Sequence, residues 1–214
     1  MLSQGHAPRL PRPARRVCLK PVPSRLCIHA PEDEGREDVE AFIRSIFKAR
    51  FDAEIRNFAP CLVSLRDRSG DITAAAGFRV AAESPLFLER YLFGPVESVL
   101  ARHEPALERA HVVEVGHLAS LRPGRGIFLM SLLGVHLAAR NFRWVVGTAT
   151  NELRQLFDRL GVAPVALGIA DPKMLGAEEA AHWGSYYDHR PQVLAGHLQR
   201  SLQRLERLSQ RGIG

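Results

Sequence analysis

Between residues 111 and 170 the chain alternates short apolar runs with helix-like segments, and this alternation restricts the fold more than any other feature of the sequence. Strand, helix, strand, helix, strand in succession is what parallel sheets with crossover helices produce. The expected strands are residues 111–121, 143–150 and 162–170. A loop, Arg122-Pro123-Gly124-Arg125-Gly126, leads into the first helix at 127–140. The second helix, 152–160, stops at Gly161, as a glycine past a helix end commonly dictates.

Upstream, Val39, Phe42, Ile43, Ile46, Phe47 and Phe51 recur at three- and four-residue intervals from Asp38, one face of an amphipathic helix. Residues 61–66 and 72–82 read as a hairpin turned by Ser69-Gly70-Asp71. Gly77 within the returning strand suggests a bulge or a close contact. Short helical stretches follow at 86–92 and 96–103, each preceded by a proline. The chain closes on a helix expected at 192–210, with Leu194, Leu198, Leu202, Leu205 and Leu208 in one stripe. That stripe reads as core or homodimer interface, and the arginines beside it leave peripheral membrane contact open.

Composition removes several alternatives. A chain of 214 residues, 46% hydrophobic and 24% charged, is neither wholly disordered nor fibrous, and its longest apolar stretch, 126–139, is too short to span a bilayer. The net charge of +6 sits entirely in residues 1–30, leaving 23 basic and 23 acidic groups in the rest. A neutral body argues against nucleic acid as a partner, which needs positive charge gathered on one face of the fold. Residues 1–30 therefore read as a disordered, basic, proline-rich tail, with tethering to anionic lipid as its alternative role. Residues 31–214 read as one domain. Three cysteines, Cys18, Cys27 and Cys61, match neither a disulfide framework nor a zinc site, so the expected location is cytoplasmic. The nine histidines show no metal-ligand spacing, no bound metal or permanent cofactor is expected, and no Gly-x-Ser-x-Gly elbow marks a serine hydrolase.

The glycine loop carries the first chemical signal. Free backbone N–H groups and the helix dipole favour an anion there; Gly124 and Gly126 would let the backbone approach it, and Arg122 and Arg125 would add charge-assisted hydrogen bonds. A solvated turn is the plain alternative. In order of elements the chain resembles the GNAT acyltransferases, an α/β (α+β) fold with a mixed sheet, antiparallel then parallel, flanked by helices. In that superfamily such a loop holds the pyrophosphate of coenzyme A or the phosphopantetheine of an acyl carrier protein. The loop motif there is Gln or Arg, two residues, Gly, one residue, Gly or Ala; Gly124 and Gly126 fit it, with Leu121 in the first position. Thr150 stands where the superfamily has Asn, and Phe157 where some members carry a proton-donating Tyr.

Longer strings sharpen the likeness: GFRVA (77–81), LFLERYL (86–92), PVESVL (95–100), VVEVGHLAS (112–120), LRQLFDRLG (153–161) and WGSYYDHRPQVLAG (183–196). Together they resemble the thermostable hemolysin family, a GNAT-related group similar in layout to acyl-homoserine-lactone synthases. Family members carry Asn or Gln where this chain has His117. The hemolysin name describes a phenotype, and a chain without a pore-forming apolar segment fits an enzyme better. A membrane-active, lipid-binding protein and a non-catalytic GNAT-like binding module are the rival readings.

Glu114 is the leading catalytic candidate. Strand alternation places it with Val112, Gly116 and Leu118, and places His117 on the opposite side with Val113 and Val115 unless a bulge intervenes. The resemblance implies a glutamate on this strand that handles the amine substrate, and a bulge that frees a backbone N–H for the acyl oxygen. Attack on a thioester needs a neutral amine, and an α-amino group with pKa about 8 is mostly protonated at neutrality, so a base is worth roughly a hundredfold. An ion pair or a helix cap is the alternative for Glu114. His117 could titrate near neutrality or sit satisfied in the core. Trp183, Tyr186 and Tyr187 form an aromatic cluster in which Tyr187 could protonate a leaving thiolate while Trp183 and Tyr186 bind substrate; simple packing competes with that role. Arg44, Phe47 and Arg50 resemble the pattern that orders the amine pocket of acyl-homoserine-lactone synthases, against a solvated basic face. The expected activity is transfer of a fatty acyl group from acyl-CoA or acyl carrier protein to a small, amino-acid-like amine. Glu114 would serve as base or anchor, the backbone of His117, Leu118 and Ala119 would align the thioester, and Arg122, Gly124, Arg125, Gly126 and Thr150 would lie along the donor.

Overall fold

The computed structural model describes residues 24–122 and 124–211. Seven strands form one sheet: β1 (Arg25–His29), β2 (Cys61–Arg66), β3 (Ile72–Val80), β4 (Val112–Ser120), β5 (Trp144–Ala149), β6 (Val165–Ile169) and β7 (Gln192–His197), in the order β1-β2-β3-β4-β5-β7-β6. Only β4 and β5 are parallel neighbours; every other pair is antiparallel.

Six helices flank the sheet: α1 (Arg36–Phe51), α2 (Val96–Leu100), α3 (Arg125–Ala139), α4 (Asn151–Arg159), α5 (Ala177–His182) and α6 (Leu198–Arg211). On one face, Val39, Ile43, Phe47 and Phe51 of α1 bury against Leu62, Ala75 and Ala119, as their spacing requires. Beside them α2 and a 3-10 helix, Phe87–Tyr91, cover Val112, Trp144, Val146 and Val193 through Leu88, Val96 and Leu100. On the other face, Leu129, Leu133 and Leu137 of α3 pack on Val63, Leu65, Phe78, Val113 and Val115. The leucine stripe of α6 serves this second layer: Leu198 joins the α3 cluster, and Gly134 lets Leu202 in, since a Cβ there would meet that side chain at 3.3 Å. Among the described residues no helix is long and apolar enough to cross a membrane.

Three expectations are corrected. The segment expected to open the C-terminal helix, 192–197, is strand β7, and α6 begins only at Leu198. β6 is not parallel to β5; β7 inserts between them and pairs antiparallel with both. Residues 25–29, assigned to the tail, form edge strand β1 against β2; the rest of the tail, 1–23, lies outside the described residues. Along β4 the bulge that the sequence reading left open is present at His117, with consequences for the site.

Candidate active site

β4 and β5 pair only from Val112/Trp144 to Glu114/Val146. Beyond that point β4 keeps β3 as its partner and β5 keeps β7, so the sheet opens between them. Two glycines mark the parting. A Cβ on Gly147 would collide with the carbonyl oxygen of Val115, so only glycine allows the strands to approach so closely before they separate. A Cβ on Gly116 would meet nothing within 4 Å, which leaves space just past Glu114.

The opened strand also bulges. Ala75 pairs with Ala119 and Gly77 with Gly116, two steps on β3 against three on β4. The extra residue falls at His117–Leu118, and His117 takes φ +54°, the left-handed conformation that bulges accommodate. The bulge reverses the sidedness that unbroken alternation would give. Val113, Val115 and Leu118 face α3, whereas His117 turns to the α1 face, with its ring 5.5 Å from Phe58 and 6.4 Å from Phe47. Glu114 and His117 thus share one face. His117 Nδ1 has no hydrogen-bond partner among the described residues. Burial, reinforced by the charge of Arg79 and opposed by a hydrogen bond with the Asn57 backbone, lowers the imidazole pKa to about 4. It is neutral at physiological pH and suits hydrogen bonding better than proton storage.

Glu114 is fixed by the first turn of the 3-10 helix. Its Oε2 accepts from Phe87 N–H at 2.8 Å and its Oε1 from Leu88 N–H at 3.0 Å, so the capping geometry weighed from the sequence is present. Burial raises its pKa even though these two donors and Arg79 favour the charged form. Each oxygen retains a lone pair, so a third donor can be received at a fixed position by a carboxylate more basic than usual. Its cross-strand partner on β3 is Arg79.

Aromatic side chains close this face. Phe47 lies 6.4 Å from both Trp183 and Tyr186, and Trp183 lies 5.8 Å from Phe87, which links the cluster to the segment holding Glu114. Tyr186 donates to Thr148 Oγ1 at 3.1 Å, beyond the parting of β5. Tyr187 shares a 2.6 Å hydrogen bond with Tyr91, and burial pushes its pKa up to about 12. The glycine loop sits where β4 ends: Gly124 adopts φ +90° as the N-cap of α3, and Gly126 packs against Ser120, where a Cβ would meet Oγ at 3.4 Å. Pro123 lies outside the described residues.

The structure therefore gathers Glu114, His117, Phe47, Trp183, Tyr186 and Tyr187 on one face, with Leu118 and Ala119 in the bulged strand and Gly124 and Gly126 at its end. Thr150 caps α4, accepting from Leu153 N–H at 3.5 Å. Arg44 is tied to Glu40 and the Ile55 carbonyl and lies 4.7 Å over Phe58, one ring removed from His117. Arg50 rests on Phe51 at the surface, Arg122 is exposed, and Arg125 donates to Ser24. Arg79 escaped the sequence reading because strand register, not local pattern, sets it opposite Glu114. Two surface cavities of about 370 and 380 Å³ lie elsewhere, one beside the Glu89–Arg109–Glu97 ion pairs and one beside His111 and His197. Among the described residues no group of three or more potential metal ligands occurs.

Solved structures with a similar architecture include two acyl-homoserine lactone synthases and an N-acyl amino acid synthase. The CoA-dependent acyl-homoserine lactone synthase MesI superposes with a TM-score of 0.54 at 14% identity, covering 86% of this chain and 94% of its own. The AHL synthase LasI gives 0.56 at 14%, covering 84% and 94%. FeeM, an N-acyl amino acid synthase from uncultured soil microbes, gives 0.56 at 11%, covering 83% and 93%. At such identities the likeness establishes a GNAT-like fold. No curated relative matches the sequence. The family model described as thermostable hemolysin matches residues 29–202, and with most of its length so matched, the chain belongs to the thermostable hemolysin family.

Proposed function

We propose that the protein is an N-acyltransferase that moves a fatty acyl group from a pantetheine thioester, carried by coenzyme A or an acyl carrier protein, to the amine of a small amino-acid-like acceptor. The observation that carries this reading is the parting of β4 from β5 immediately after Glu114 and Val146, with open space at Gly116 and the start of α3 at the end of the opened strand. Such a gap admits an extended pantetheine arm along exposed strand backbone, with the donor phosphate at the first-turn N–H groups of α3. Two enzymes on this fold support it: MesI is described as a CoA-dependent acyl-homoserine lactone synthase and FeeM as an N-acyl amino acid synthase.

In this reading the acceptor ammonium docks on Glu114, which takes its proton. The freed amine attacks the thioester carbonyl, a C–N bond forms, and the C–S bond breaks. The bulged backbone around His117, Leu118 and Ala119 receives the carbonyl oxygen. As the amide forms, the attacking nitrogen gives up its second proton, which reaches the departing thiolate through Tyr187 or solvent, so that the thiol leaves neutral and Tyr187 ends as it began. Positioning and deprotonation suffice, because transfer from thioester to amine is downhill. The test is incubation of the purified chain with dodecanoyl-CoA and pooled amino acids, read by thiol release and by mass spectrometry for acylated amines. Folded Glu114→Gln, verified by circular dichroism, should lose at least about a hundredfold in rate. Absence of thiol release and of acylated product, with wild type equal to the variant, refutes the reading.

A further inference from the structure

Resting on that reading, we infer that Arg79 is a specificity-determining residue that binds the acceptor's carboxylate, so that the site takes α-amino acids with a free carboxyl group rather than simple amines. Arg79 and Glu114 are direct partners across the β3–β4 ladder, which puts their side chains on the same face with Cβ atoms about 5 Å apart. Opposite charges so placed commonly pair with each other, yet no ion pair joins these two. Glu114 is turned instead onto Phe87 and Leu88 N–H, and Arg79 reaches the carbonyl of Pro85, two residues before Phe87 in the same segment, at 3.2 Å.

The guanidinium therefore has four of its five N–H donors without a protein acceptor among the described residues, and no carboxylate lies within ion-pair distance. Three other arginines of this layer are already paired: Arg44 to Glu40, Arg90 to Glu179, Arg109 to Glu89 and Glu97. A fixed carboxylate and a guanidinium with free donors, adjacent but unpaired and beside the open space at Gly116, are the complement of a zwitterion. The ammonium meets Glu114, and the planar carboxylate fits the fork of the guanidinium. A neutral amide or a decarboxylated amine would satisfy only the first contact.

The experiment pairs each free amino acid of a twenty-member panel with its primary amide, with dodecanoyl-CoA as donor, in wild type, Arg79→Gln and Arg79→Lys. Wild type should prefer the free acid. Arg79→Gln should raise KM for the acid tenfold to a hundredfold, the usual range for a lost charge-assisted contact, and should change KM for the amide far less, so that the preference for the acid is lost. Arg79→Lys should recover part of the loss. Equal use of acid and amide by wild type, or an unchanged preference in Arg79→Gln, overturns the inference and leaves the acyltransferase reading standing. If nothing is acylated, the acyltransferase reading falls, and calorimetric titration of the same acids and amides decides the carboxylate site. Acid binding lost in Arg79→Gln sustains it, and no binding to wild type overturns it.

Discussion

Acid should unfold this protein earlier than its carboxylates require, and His117 is the residue through which the effect can be isolated. Its imidazole titrates near 4 in the folded chain against an ordinary 6.5. A base with a depressed native pKa binds its proton more readily when unfolded, so stability is intact above about 6.5 and lost as pH falls toward 4. The loss works out to about 2 kcal/mol at pH 5 and about 3 kcal/mol at pH 4. His29, His136 and His197 are shifted the same way by burial, whereas Glu114, raised by burial, acts in the opposite sense. The comparison must therefore be between wild type and one substitution. His117→Asn removes the titration while keeping a residue that tolerates the +54° φ. In urea unfolding the wild-type midpoint should drop between pH 7.5 and pH 5 by roughly 1 M more than that of His117→Asn, taking a slope near 2 kcal/mol per molar. Parallel pH dependences would refute the account of a neutral imidazole forced into the α1 face by the bulge.

Three further outcomes are expected. Gly147→Ala should lower stability by about 1–3 kcal/mol, the usual cost of forcing a methyl into occupied space, because its Cβ would strike the Val115 carbonyl; a melting temperature within error of wild type would contradict the close approach of β4 and β5. Arg109→Met strands two glutamates: burial works to raise the Glu89 carboxyl, yet Arg109 and the N–H groups of Val96 and Leu86 hold it at about 2. That substitution should cost about 3 kcal/mol at pH 7 and less as pH falls from the ordinary 4.5 toward 2, the window in which the wild type loses the contribution of Glu89, as denaturant melts at pH 7 and pH 3 would show. Leu133→Ala, at a position 1% exposed on the sheet-facing side of α3, should cost about 2–5 kcal/mol in chemical denaturation without altering the KM for an amine acceptor.

The sequence revealed elements whose side chains face one buried layer and one wet one. The apolar spacing of α1 and the hairpin turn at Ser69-Gly70-Asp71 are local signals, and both elements occur where expected. Strand β7 was hidden because Val193, Leu194 and Ala195 are all buried. An interior strand covered on both faces loses its two-residue period, and Leu194 then merged with the helical stripe running through Leu198 and Leu202. Once β7 is missed, the direction of β6 is beyond reach, because β7 is its ladder partner. Glu114 and His117 stood out as side chains, but their shared face depends on a bulge that only the β3 pairing reveals. Arg79 was visible only within a longer string, since its meaning comes from register.

The placement of β7 also governs the order in which the sheet can be completed. Residues 192–197 are synthesised after β5 and β6 yet lie between them, so until they arrive those two strands carry unsatisfied ladder edges. A nascent chain halted near residue 190 would expose the apolar flank of β5, a ready template for pairing with another copy. Shortening from the C-terminal side should accordingly be tolerated within α6 far better than across β7, where it would split the sheet and not merely trim it.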